Sequence, residues 1–76
     1  MTEQMYRLER DGHDVDYLHV KGDRVIVTSG MLKRLWEDPE RCHDFPDYDS
    51  HSYTFQTYYG MDKDDVLKDA KLIWER

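Results

Sequence analysis

Apolar and polar positions alternate near the start of the chain: Tyr6 and Leu8 against Arg7 and Glu9. That period of two predicts a short half-buried strand over residues 5–10. Asp11-Gly12 follows as a turn signal that favours positive φ. Val15 to Val20 then places Val15 and Tyr17 on one face, and Leu18 and Val20 on the other. Gly22-Asp23 separates this run from Arg24-Val25-Ile26-Val27-Thr28, the most β-branched segment of the chain. A glycine at the first central position suits a type II′ turn, so 15–21 and 24–28 are expected to pair antiparallel. The three segments form a meander.

The period then changes. Ser29 is placed to cap a helix whose apolar residues, Met31, Leu32, Leu35 and Trp36, make one stripe. Pro39 ends it, because the residue before proline is pushed out of the helical region. No period persists over 40–52, and Pro46, Asp47, Asp49 and Ser50 mark a loop. From Ser52 to Gly60 alternation returns, with Tyr53, Phe55, Thr57 and Tyr59 on one face, and predicts a fourth strand. Asp62 then caps a final helix carrying Val66, Leu67, Ala70, Ile73 and Trp74 on one stripe. Asp64 and Asp65 in its first turn, with Lys71 and Arg76 at its end, complement the helix dipole. The order βββαβα implies a single α+β domain over 1–76, a four-stranded antiparallel sheet with two helices packed on one face.

Charge adds direction to this fold. Residues 37–65 hold nine acidic side chains against two basic ones, Arg41 and Lys63, for a charge of −7. The whole chain carries −6, so the remainder is nearly balanced and the excess is confined to one stretch. Phe45, Tyr48, Tyr53, Phe55, Tyr58 and Tyr59 lie in the same stretch. A one-sided negative field attracts basic surfaces and repels nucleic acid and anionic membrane. Twelve aspartates against five glutamates favour fixed placement, since the shorter side chain has less rotamer entropy to lose on binding. Carboxylates spaced several ångströms apart engage the same lysines and arginines that bind a phosphate backbone. The expected partner-binding residues are Asp44, Asp47, Asp49, Asp64 and Asp65 as charge donors, with Tyr48 and Tyr58 as aromatic anchors.

Other chemistries find less to stand on. Cys42 is the single cysteine, so no disulfide closes within the chain, and a reducing cytoplasm is the expected compartment. The N-terminal residues lack a basic region followed by an apolar one, and the longest apolar run is Val25-Ile26-Val27, so neither a secretory signal nor a membrane span is expected. Cys42, His43, Asp44, Asp47, Asp49 and His51 are possible metal ligands, but their spacing matches no zinc pattern. Read as a calcium loop, Ser52 stands where glycine is required and Tyr58 where glutamate is. A metal-dependent hydrolase centred on His43 and His51 would need such a site. Adjacent Cys42 and His43 point apart and are no catalytic dyad, and no nucleophile elbow or phosphate loop is present. Dispersed basic residues disfavour direct nucleic-acid binding.

The sequence therefore leads to a small acidic non-enzymatic interaction protein without cofactor or metal. Its acidic-aromatic face docks on a basic protein surface, in the manner of a compact inhibitor occupying the nucleic-acid-binding groove of a larger protein, as phage-encoded antagonists of host defence or transcription do. The alternative is a homodimeric structural or regulatory domain that self-associates through Tyr53, Phe55 and Tyr59.

Overall fold

The computed structural model describes residues 2–10, 12, 14–29, 36–41 and 51–76. Strands β1 (Glu3–Leu8), β2 (Asp16–Lys21) and β3 (Arg24–Ser29) form the antiparallel meander. Lys21 pairs with Arg24 across a two-residue turn, and Gly22 has φ 65, the positive value that primed turns require at their first central position. β4 (Ser52–Thr54) extends the sheet beside β3, and β5 (Lys71–Glu75) beside β1. The order across the sheet is β4-β3-β2-β1-β5, with every pairing antiparallel. Two five-residue helices, α1 (Phe55–Tyr59) and α2 (Lys63–Leu67), connect β4 to β5. The protein is thus a small α+β domain built on a five-stranded antiparallel sheet with two short described helices.

Alternation along the meander divides its side chains as the sequence predicts. Leu18 and Val20 join Leu8, Val25, Phe55 and Val66 in one buried cluster, with Tyr6, Val27 and Tyr59 against it. Tyr17 joins Met5, Ile26 and Trp36 in a second cluster, with Val15, Ile73 and Trp74 against it. The sheet is buried on both faces. α1 and α2 cover the first face through Phe55 and Val66, while Trp36 covers the second.

Three expectations need correction. The strand over 52–60 is a strand for three residues only, and then turns into α1. The Thr54 hydroxyl accepts the Thr57 N–H at 3.1 Å, and Gly60 closes the helix at φ 68, donating its N–H to the Gln56 carbonyl at 2.9 Å. These are an N-cap and a left-handed C-cap that flank the five helical residues. Phe55 and Tyr59 satisfy a strand period and also the i, i+4 spacing of a helix, and the caps select the helix.

The helix expected from Asp62 ends at Leu67, and residues 71–75 are strand β5. Without β5, six-residue β1 would present an unpaired edge on its outer side. Leu72-Ile73-Trp74 have the apolar and aromatic character of a strand, and they pair there. Met5 stands opposite Trp74 and Tyr6 opposite Leu72, so Ile73 is an extra residue in a β-bulge. The bulge lets the consecutive Ile73 and Trp74 both pack on the Trp36 side.

The third correction concerns the layers. The helix expected after Ser29 lies outside the described residues up to Leu35; Trp36 is helical, Glu37 and Asp38 are not, and Trp36 lies on the face opposite α1 and α2. The two helices expected on one face are therefore not the two found there, since α1 replaces part of the expected fourth strand and the Trp36 segment covers the other face. Its carbonyl accepts the Trp74 indole N–H at 3.0 Å, and the Pro39 carbonyl accepts from the Arg76 guanidinium at 2.7 Å.

Candidate functional site

Helices α1 and α2 set the geometry of the surface. Because Phe55 and Tyr59 point to the sheet, Tyr58 on the same short helix faces outward and is 49% exposed. Tyr53, in edge strand β4, is 41% exposed and its ring lies 5.8 Å from that of Tyr58. Tyr58 also meets Tyr59 edge-on, with ring centroids 4.9 Å apart. Three tyrosines thus run in contact from solvent toward the core, and the outer two present aromatic surface. Tyr53 is exposed while Phe55 is buried, although alternation puts both on one face of the expected strand; Thr54, a good cap residue, ends that strand between them.

At the start of α2, Asp62, Asp64 and Asp65 are exposed. Asp62 occupies the N-cap position of α2, yet its side chain makes no capping bond, while Asp64 and Asp65 sit in the first turn. No salt bridge reaches any of the three among the described residues. Lys63, adjacent to them in sequence, sends its ammonium to the Gly22 carbonyl at 2.7 Å. That bond anchors α2 to the β2–β3 turn and holds the cation at a backbone acceptor.

The acidic stretch does not make one continuous plate. Glu37 accepts the Tyr17 hydroxyl proton at 2.9 Å, Asp38 accepts the Glu40 N–H at 2.9 Å, and Glu40 lies 3.7 Å from Arg76. These acids belong to the Trp36 side, where they are tied to the fold. Burial, then the bond to Glu37, raises the Tyr17 phenol above its ordinary value of 10.0. The surface that remains a candidate is the α1–α2 side. Tyr58 stands on α1 and Asp64 and Asp65 on α2, on that same side. Asp44, Asp47, Tyr48 and Asp49 lie outside the described residues, as do the possible ligands Cys42 and His43; His51 is exposed. Among the described residues no three His, Cys, Asp or Glu side chains group as a metal site, and no helix is long and apolar enough to cross a membrane.

Tyr59 carries a feature that the sequence pattern does not signal. Tyr59 is half-buried, and its hydroxyl has no hydrogen-bond partner among the described residues. Burial chiefly, and the Asp16 carboxylate next, push its phenol far above the ordinary range, so it stays neutral and protonated. The Arg10 guanidinium covers its ring at 5.9 Å. Comparison with protein-family models, curated proteins and solved structures finds no match.

Proposed function

We propose that this protein is a non-enzymatic binding module whose α1–α2 face docks on a basic surface of a larger protein, with an inhibitor of a nucleic-acid-binding protein as the setting that fits its charge. The observation that carries the reading is the exposed Tyr53–Tyr58 pair on the side of the sheet that also carries three exposed carboxylates with no ion pair among the described residues. Exposed tyrosines provide rigid contact area and a π face for arginine, and nearby carboxylates give orientation and fast encounter. Asp64 and Asp65 are the described charge donors, Tyr58 the anchor, and Tyr53 joins it. Asp44, Asp47, Tyr48 and Asp49 complete the proposed surface from the sequence.

The test is affinity capture from cell lysate at low salt with wild-type protein, Tyr58→Ala and Asp64→Asn/Asp65→Asn. The expected result is a basic nucleic-acid-binding protein retained by wild type and lost with both variants. Retention of the same proteins by all three would remove the reading. The homodimer alternative loses part of its surface, since Phe55 is buried within its own domain and residues 55–59 are helical.

A further inference from the structure

Between the end of β1 and α2 lies an open groove of about 460 Å³, lined by Leu8, Glu9, Arg10, Tyr59, Met61, Asp65, Val66 and Asp69. Leu8 and Val66 are buried residues that give it an apolar floor, and Met61 is 46% exposed at its side. Its charged groups are not equivalent. Glu9 is paired with Arg7, and Arg10 with Asp16 at 3.4 Å. Asp65 and Asp69 have no ion pair among the described residues. The groove therefore combines apolar walls with two carboxylates that have no ion pair among the described residues.

We infer that this groove is a socket for a lysine side chain of the protein partner. The inference rests on the proposed α1–α2 docking surface and deepens it. Lysine joins a four-carbon apolar stem to a compact ammonium with three donors. The stem matches Leu8, Val66 and Met61, and the ammonium matches Asp65 and Asp69. Arginine fits less well, because the Tyr59 ring face on which an incoming guanidinium would stack is already covered by Arg10. A norleucine side chain would reach the same floor but leave both carboxylates unmatched.

The experiment is a titration of the labelled full chain, followed by backbone amide shifts, with the peptide Gly-Gly-Lys-Gly-Gly and its norleucine and arginine counterparts. The expected result is saturable shifts at Leu8, Arg10, Tyr59 and Val66 with the lysine peptide, at least fivefold weaker binding of the other two, and about tenfold weaker lysine binding by Asp65→Asn/Asp69→Asn. Equal binding of lysine and norleucine peptides, or no saturable shift, overturns the socket. Lysine-induced shifts confined to Tyr53, Tyr58 and Asp64 also overturn it, yet leave the docking surface standing. If lysate capture fails for wild type while the peptide titration succeeds, the docking reading falls and the socket remains.

Discussion

On the Trp36 side of the sheet, apolar packing is interlaced with hydrogen bonds. Tyr17 donates to Glu37, buried His19 lies 2.9 Å from a Glu3 carboxylate oxygen, and the Trp74 indole donates to the Trp36 carbonyl. His19 also meets the Trp74 ring edge-on at 5.3 Å. On the α1–α2 side the buried residues are Leu8, Leu18, Val20, Val25, Phe55 and Val66, and the hydroxyl of Tyr59 goes without a partner. The difference is one of use. Polar pairs on the first side commit acids to holding β1, β2, β5 and the 36–41 segment in register, because each partner left alone would carry a desolvation cost. The second side is held by apolar contact, the capped turn of α1 and the Lys63 bond to the Gly22 carbonyl, so its carboxylates and outer tyrosines remain available to a partner.

Breaking either core is the largest effect. Phe55 is 3% exposed, and Phe55→Ala should cost about 3–5 kcal/mol, a large part of the stability of a domain this size. Chemical denaturation should show a strongly lowered midpoint, or no folded baseline. Next in size, Tyr17→Phe should cost about 1–3 kcal/mol, since it deprives Glu37 of its donor on the hydrogen-bonded side. Gly60→Ala should cost about 1 kcal/mol, because the left-handed φ of 68 disfavours a side chain even though no atom lies within 4 Å of the new Cβ.

The smallest effect sharpens the comparison most. Tyr59→Phe, the same change as at Tyr17 but on the other side, removes a hydroxyl without a partner. Its expected outcome lies between no change and a gain of about 1 kcal/mol. A loss equal to that of Tyr17→Phe would erase the distinction between the faces. Both phenols also predict alkaline sensitivity. Their folded values are raised, so the folded state holds the proton more tightly than the unfolded chain. Their contribution is complete below pH 10.0 and is lost as pH rises through the folded values. Denaturation midpoints should fall above pH 10, less so in Tyr59→Phe.

The meander was legible because its signals agree. Val15/Tyr17 and Leu18/Val20 alternate over a strand buried on both faces, and Gly22-Asp23 marks the turn between β2 and β3. The second half was harder, since its short apolar runs suit two periods. Phe55 and Tyr59 fit strand and helix alike, and only the Thr54 and Gly60 caps separate them. Ile73 and Trp74 complete a helical stripe from Val66, but the open edge of β1, a non-local feature, makes them strand. The described acids of the stretch divide in a related way. Glu37 bonds to Tyr17 on the Trp36 side while Asp65 belongs to α2 on the other, because chain order does not reveal which side of the sheet a segment covers. Tyr58 as an outward residue was legible; the Tyr59 groove was not, since it arises from β1 meeting α2.

The most direct test is the salt dependence of affinity for the captured partner, measured for wild type and Asp62→Asn/Asp64→Asn/Asp65→Asn. Exposed carboxylates act over roughly 8–10 Å at moderate ionic strength, so wild-type affinity should fall steeply as salt rises, and the variant should bind more weakly with a flatter dependence. Equal affinity at low and high salt, or identical curves for the two proteins, would contradict the account.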